Sequence, residues 1–556
     1  MDFSQIAVLI VGAAAAGVLA RIVRQPLLVG YLFAGFALGT FGLAGESGSI
    51  EALGKVGVAL LLFLVGLEMK LHELPTLGKI ALITGAGQIV FTTIIGYIIA
   101  LALGFESISA LYIAIALAFS STIIIVKLLS ERRELSSLHG KIAVGFLLVQ
   151  DFVAVLLLMF LAGVQKGDIG VVSFAILAVK GVLLLVAVWA LSRRVIPRLF
   201  VSLFDTSTEL VFIVSIAWAL GLSALVGGPL GFSLEIGGFL AGLALSNLPE
   251  HLQVASRARP LRDFFLTIFF LILGTRLITD NIGAIIAPAV LLSIFVLIGN
   301  PLIMLVIMGI QGYRKHTSFM VGLTVAQISE FSLILVAMGV SVGHIPESVA
   351  ALAVLVAVIT MTVSTYMILG ADKIYTKLKR FLAIFERKKT LESVYLQGTL
   401  SEHVVLVGCG RTGKVLLPLL AKKKLDLVVV DFDPEVITSL TRKKISCIFG
   451  DAADIEILES AKIGEASLII STILNMPDNL ALLAYLKGLK KKVPTVMKAA
   501  HTADAQKLYE NGASYVIVPE VAAGEHIRHL VVKHGLSYIV RLRKGRERYA
   551  AKPPQK

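Results

Sequence analysis

Residues 139–163 read HGKIAVGFLLVQDFVAVLLLMFLAG. The stretch is long enough to cross a bilayer as a helix, which needs about 20 apolar residues. Its middle is broken by Gln150 and Asp151. An ionised carboxylate at mid-membrane costs roughly 2.5–3.5 kcal/mol on insertion scales. A chain keeps such a group where it faces a cavity, a partner or an ion. Asp151 is therefore the candidate ion and proton site, and the remainder of the sequence is expected to be built around it.

Composition sets the frame. Of 556 residues, 57% are hydrophobic and 16% charged, which is too oily for a soluble chain of this size. The apolar character stops near residue 370, and the rest carries charge throughout. Two domains are expected: a membrane domain over 1–370 and a soluble part beyond it. The net charge of +14 fits loops on one side of a membrane and a basic linker, so nucleic acid is not an expected partner. Cys409 and Cys447 lie in the soluble part, as suits a reducing compartment. The first apolar stretch lacks a basic leader and a cleavage site, and reads as a first span.

Hydropathy places about 13 spans, near 5–22, 27–43, 51–68, 77–103, 107–129, 139–163, 170–192, 207–226, 232–246, 262–279, 285–311, 316–340 and 347–370. The loops on one side hold about 16 Lys and Arg residues and those on the other about 2, namely Lys166 and Arg276. That bias puts the N-terminus outside and the soluble part in the cytoplasm. Glycines such as Gly30, Gly35 and Gly39 read as close helix packing.

Further polar groups interrupt the spans. Ser120-Ser121-Thr122 fall together in the fifth. They read either as hydroxyls bonded back to helix carbonyls or as an unwound turn facing a cation. Thr324-Val325-Ala326-Gln327-Ile328-Ser329-Glu330 interrupt the twelfth. Glu330 is either half of an ion pair or an ion ligand. Glu235 lies near the outer end of the ninth span. Arg276 either snorkels outward or serves as a counter-charge. Pairing spans 1–6 with 8–13 sets the fifth opposite the twelfth. The seven-span offset makes the repeats inverted, the arrangement in which transporters place broken helices at the midplane.

The soluble part opens with a basic, amphipathic stretch over 371–400. It reads as a helix on the inner membrane surface or as a plain connector. His403-Val404-Val405-Leu406-Val407 is a predicted strand, followed at once by Gly408-Cys409-Gly410-Arg411-Thr412-Gly413 and an apolar-periodic helix. A second strand ends in Asp431. Strand, glycine turn, helix and acid together form a dinucleotide-binding fingerprint. Glycines let phosphate approach a helix N-terminus, and the acid takes ribose hydroxyls. No pocket for a hydride-transfer substrate is evident, so a redox enzyme is disfavoured.

With these residues in hand, the chain resembles the monovalent cation:proton antiporter-2 family, Kef-type branch. Gly66-Leu67-Glu68, Ser120-Ser121-Thr122, Gln150-Asp151, Phe239-Leu240-Ala241-Gly242 and Gln327-Ile328-Ser329-Glu330-Phe331 carry the resemblance. The resemblance implies an α-helical polytopic membrane protein with inverted repeats, a transport bundle and a dimerisation bundle. It also implies a C-terminal α/β Rossmann-like domain. Asp151 would exchange cation for proton, and Gln150 beside it favours K⁺ over Na⁺. A carboxamide oxygen at Gln150 can serve a cation without adding charge. Residues 401–520 resemble the TrkA-N (RCK) domain, which places Asp451 and Ala452 near adenine and Arg411 near phosphate. A regulatory nucleotide, NAD(H) or AMP-like, is then expected instead of a catalytic cofactor. A homodimer through both domains is expected, with an ancillary regulator allowed. Residues 521–556 form an extension containing Gly524-Glu525-His526 and a basic tail. Glutathione-gated relatives carry an acidic loop after the ninth span; here 251–260 is basic, which argues against that gating. The function implied is K⁺:H⁺ antiport in a cell membrane. Na⁺:H⁺ antiport and, less favoured, a nucleotide-gated channel are the alternatives; no Thr-Val-Gly-Tyr-Gly filter is present.

Overall fold

The computed structural model describes residues 3–41, 48–68, 78–132, 134–135, 137–163, 184, 186, 188, 190–193, 208–229, 234–246, 248, 251–275, 282–386, 394–396, 400–422, 426–452, 454–489, 492–529 and 531–532. The chain divides into two compact units. One comprises Met1–Leu128 with Lys141–Arg387, and the other Leu129–Gly140 with Lys388–Lys556.

The first unit is helical. Its helices are α1 (Phe3–Ile22), α2 (Leu27–Thr40), α3 (Gly48–Glu68), α4 (Gly78–Ala102), α5 (Ser107–Ala118), α6 (Thr122–Glu131), α7 (Leu138–Gly163), α8 (Thr208–Gly227), α9 (Leu234–Leu245), α10 (His251–Thr275), α11 (Ile282–Ile294), α12 (Asn300–Ile310), α13 (Lys315–Leu323), α14 (Glu330–Ser341), α15 (Glu347–Leu369) and α16 (Ala371–Leu382). Among the described residues six helices are long and apolar enough to cross a membrane, and five shorter apolar helices accompany them. The seventh predicted span lies largely outside the described residues. Every other predicted span coincides with a helix or a helix pair.

The helices sort into two bundles. α1, α2 and α3 pack with α8, α9 and α10; α4 and α5 pack with α11 to α15. Backbone-to-backbone contact holds the first bundle. A Cβ on Gly242 of α9 would strike the Phe63 carbonyl oxygen of α3, and one on Gly66 of α3 would strike that of Phe239 in α9. Small residues at these positions let helix backbones touch, which is how apolar helices associate where lipid removes the hydrophobic drive.

Breaks in the second bundle are local and have causes. Two helical pieces, α5 and α6, flank the non-helical Phe119–Ser121, so the fifth span is unwound where the serines lie. α13 and α14 flank Thr324–Ser329 in the twelfth. Ser329 caps α14: its hydroxyl accepts from the Phe331 N–H, and its own N–H donates to Ser332 Oγ. The eleventh span carries a π turn, Phe295–Gly299, that ends directly before Asn300. α4 stops at Gly104, whose φ of 86° permits the Phe105 N–H to reach back to the Ala100 carbonyl.

One expectation is corrected here. Residues 251–260 are the first turns of α10, not a loop, and Pro260 lies inside the helix. Hydropathy sees only the apolar half of such a helix, so its polar opening turns read as a connection. The first part of the basic stretch is helical as expected. α16 sets Tyr375 against the rings of His316 and Phe319, at 4.7 and 5.8 Å. Lys315 pairs with Glu386 just beyond it, at 3.0 Å.

The second unit holds β1 (Val394–Tyr395), β2 (Val404–Val407), α17 (Arg411–Lys422), β3 (Leu427–Asp431), α18 (Pro434–Arg442), β4 (Ser446–Phe449), α19 (Ile455–Ser460), β5 (Leu468–Ser471), α20 (Met476–Lys487), β6 (Thr495–Lys498), α21 (Thr502–Glu510) and β7 (Tyr515–Ile517). The strand order is β1-β4-β3-β2-β5-β6-β7, parallel except for β1. β2 and β3 are buried along their length apart from the terminal Asp431, as strands covered on both faces must be. The order reverses between β2 and β5, so the crevice at their carboxyl ends is the binding position of a doubly wound sheet. Residues 519–529 are helical and almost wholly exposed.

Gly242→Val is expected to lower the thermal midpoint of the detergent-solubilised protein by several degrees and Gly242→Ala by less, because each added carbon meets backbone. An unchanged midpoint for the valine variant would show that α3 and α9 do not approach so closely.

Candidate functional site

Unwinding two helices inside a bundle leaves amides and carbonyls that water cannot reach. Side chains from four neighbouring segments take them up. Asn300 Nδ2 donates to the Leu117 carbonyl at 3.1 Å and to the Val325 carbonyl at 3.4 Å, one in each broken span. Gln150 Nε2 donates to the Ala118 carbonyl at 3.3 Å, and Gln150 Oε1 accepts from the Ser120 N–H at 3.2 Å. Ser332 Oγ donates to the Ala116 carbonyl at 2.6 Å, tying α14 to α5. The Thr360 hydroxyl accepts from the Ile328 N–H at 3.4 Å.

Asp151 lies half-buried beside this crossing. Its Oδ2 accepts from the Thr122 hydroxyl at 2.9 Å. Thr122 opens α6, so the carboxylate sits at the positive end of a helix dipole. Glu330 opens α14 and is buried. Among the described residues, Glu330 Oε2, Ser120 Oγ and Gln327 Nε2 are buried without a hydrogen-bond partner. Buried polar atoms are normally satisfied, so unmatched ones mark room for water or a ligand. The Glu330 and Ser120 oxygens suit a hard cation, whereas Gln327 Nε2 is an N–H donor and suits a water or another oxygen.

The structure thus brings Asp151, Gln150, Ser120, Ser121, Thr122, Glu330 and Gln327 to one crossing. Gln150 Oε1 holds the Ser120 amide with one of its two lone pairs. Gln327 Oε1 likewise accepts from Ser364 Oγ, at 2.9 Å. Arg262, at the start of the tenth predicted span, lies in α10 and pairs with Asp263 at 2.8 Å. Arg276 lies outside the described residues. Glu235 falls in α9, and its side chain is outside the described set. Sequence reading missed Gln88, Thr92 and Asn300. Each is a polar residue in an apolar span, and that signal was available.

The glycine turn of the second unit divides its work among three residues. Gly408 has φ 83°, and a Cβ there would press on Ile473 at 2.8 Å. A Cβ on Gly413 would strike the Gly408 carbonyl oxygen, so this position lets α17 pack on β2. Around Gly410 there is open space, which leaves the backbone free to meet phosphate. Arg411 and Thr412 are exposed at the start of α17. Thr412 Oγ1 accepts from Lys498 Nζ at 3.0 Å. Asp431 accepts from the Cys409 N–H at 2.6 Å and from the Asp433 N–H at 2.8 Å. Asp451 and Ala452 are buried, and Asp451 Oδ2 accepts from the Leu138 N–H of the 129–140 segment in the same unit, at 3.3 Å.

Comparison with known proteins matches each of the two parts of the chain to a family. The profile of the sodium/hydrogen exchanger transmembrane family matches residues 6–369. The chain belongs to the sodium/hydrogen exchanger family. Residues 404–519 of this exchanger match the TrkA-N domain. It is 27% identical over 527 residues to YbaL of Escherichia coli (strain K12), provisionally named a cation/proton antiporter; the match covers 91% of this chain and 92% of YbaL. It is 33% identical over 348 residues to K(+) efflux antiporter 6 of Arabidopsis thaliana, covering 60% of this chain and 57% of that one. Among solved structures, the sodium proton antiporter MjNhaP1 of Methanocaldococcus jannaschii is 15% identical, with a TM-score of 0.49 over 68% of this chain and 97% of that one.

The TrkA-N unit of the exchanger also buries acid. Burial raises the pKa of Asp478 well above the usual carboxylate range, and the charges of Asp451 and Glu134 add to that. For Glu134 itself burial pushes upward, but hydrogen bonds from His139 and Arg132 prevail and hold it at about 2. An acid whose folded pKa is raised favours the folded state below its unfolded pKa, and that contribution is lost as pH rises through the folded value. Asp478→Asn is therefore expected to raise the thermal midpoint of this unit at pH 8 and to leave it nearly unchanged at pH 4. An equal shift at both pH values would mean that the Asp478 charge is not what destabilises the unit.

Proposed function

We propose that the chain is a secondary antiporter that exchanges K⁺ for H⁺ at Asp151, under the control of a nucleotide bound to its TrkA-N unit. The carrying observation is a half-buried carboxylate at two crossed helix breaks in a chain of the exchanger family. One carboxylate holds a cation or a proton, and competition for it couples the two when access alternates between the two sides. The Thr122 hydroxyl donates to the carboxylate, which lies at the α6 N-terminus. Glu330 and the partnerless Ser120 hydroxyl supply further oxygen to a bound cation. Its relatives' names favour K⁺.

The remaining features fit this reading. The excess of basic loops on one side puts the N-terminus outside and the TrkA-N unit in the cytoplasm of an inner membrane. α16, with Lys373, Lys377, Lys379 and Arg380 exposed, lies along the inner membrane surface. Bundle α1–α3 with α8–α10 forms the dimerisation half, and the exposed helix 519–529 pairs with a second copy. In the nucleotide site, the α17 N-terminus receives phosphate over Gly410, and Asp431 receives ribose hydroxyls. The nucleotide is NAD(H) or AMP-like and acts as a regulator.

Reconstituted vesicles carrying a pH dye test the transport reading. Adding K⁺ is expected to drive proton efflux with the wild type and to drive none with Asp151→Asn. Normal exchange by that variant would remove Asp151 as the site. A response to Na⁺ alone would reassign the ion, and cation flux without proton movement would indicate a channel. Gly410→Val, which fills the open space above the turn, and Asp431→Ala are each expected to weaken NAD(H) or AMP binding at least tenfold by calorimetry. Unchanged affinity in both would remove the nucleotide from the glycine turn.

A further inference from the structure

Four buried side chains form a hydrogen-bonded chain across the second bundle. Gln150 Nε2 donates to Gln88 Oε1 at 2.5 Å. Gln88 Nε2 donates to Thr92 Oγ1 at 3.1 Å. The Thr92 hydroxyl donates to Asn300 Oδ1 at 3.0 Å. Gln88, Thr92, Gln150 and Asn300 are each 0% exposed. They come from α7, α4 and the start of α12, directly after the π turn.

Backbone groups that cannot change role fix the direction of this chain at both ends. The Ala118 carbonyl can only accept and the Ser120 N–H can only donate, so the Gln150 amide has one orientation. Its nitrogen therefore faces Gln88, whose oxygen must accept and whose nitrogen must donate onward. Thr92 then gives its proton to Asn300. At the far end the Leu117 and Val325 carbonyls take both hydrogens of Asn300 Nδ2. Flipping any one amide would set donor against donor or acceptor against acceptor in a buried, low-dielectric place, where each mismatch is costly. The chain begins beside Asp151 and ends on carbonyls of both breaks.

We propose that Asn300, acting through Thr92 and Gln88, is a positioning residue that sets the Gln150 amide and the spacing of the two breaks around the Asp151 cation. The chain makes one rigid group of α4, α7, α12 and the two breaks, so the cation meets an oxygen set already in place. Asn300 touches no cation itself. Its effect reaches Asp151 through Gln150 and through the carbonyls it holds. For its transport readout this rests on the antiport reading above.

Thr92→Val keeps the shape of the side chain and removes the middle link in both directions. In reconstituted vesicles it is expected to raise the half-saturating K⁺ concentration about fivefold or more and to shift the pH profile of exchange, with Thr92→Ser restoring both. Hydrogen exchange on the solubilised protein is expected to be faster at the amides of 119–122 and 325–328 than in the wild type. Gln88→Met, which breaks the adjacent link, is measured beside it so that poor folding of one variant does not decide the outcome. A purely structural chain would lower the yield of folded protein while leaving the K⁺ dependence, the pH profile and local amide exchange at wild-type values; that result overturns the proposal. If the wild type shows no K⁺-driven exchange, the antiport reading fails by itself and the amide-exchange comparison still decides this one.

Discussion

A backbone that leaves the helical path inside a bundle must find partners for every amide and carbonyl it frees. The membrane unit is arranged around that demand. The freed groups near Ala116, Leu117, Ala118, Ser120, Val325 and Ile328 draw in side chains from α7, α12, α14 and α15. What remains unmatched, on Ser120, Gln327 and Glu330, lies close to the carboxylate that the same crossing accommodates. The crossing is thus an incomplete solution: most polar groups are satisfied by protein, and among the described residues a few are left over.

Much of this was legible from residue type alone. Asp151 and Glu330 announce themselves because charge in an apolar span is expensive. Ser120-Ser121-Thr122 and Gln327-Ile328-Ser329 mark the breaks because hydroxyls and amides can replace lost backbone bonds. Asn300 was less visible, since one amide before a proline also suits an ordinary helix start. Its two acceptors lie 183 and 25 residues away, a relation that no local pattern contains. Gln150 has a further use that residue type does not convey: its carboxamide oxygen accepts from the Ser120 amide.

The TrkA-N unit was easier to read, because its fingerprint is short and contiguous. Strand, three glycines, helix and acid fall within 404–431, and each glycine proves to answer a separate steric demand. Asp431 adds something the motif does not convey. Both of its oxygens brace the turn from within, through the Cys409 and Asp433 amides. The carboxylate that would greet a ribose is therefore also a strut of the loop, which arrives shaped before any ligand.

The reciprocal contact of Gly66 with Phe239 and Gly242 with Phe63 has a consequence for how the two bundles tolerate change. Where backbones touch, identity is ruled by size: a polar or an apolar newcomer fails alike if it brings a side chain beyond a hydrogen. In the broken-helix bundle identity is ruled by direction: a newcomer of equal volume fails if it cannot give or take a proton as its predecessor did. The first bundle is thus written in an alphabet of volumes and the second in one of polarity. Saturation mutagenesis would show the two halves of one membrane unit obeying different rules of substitution.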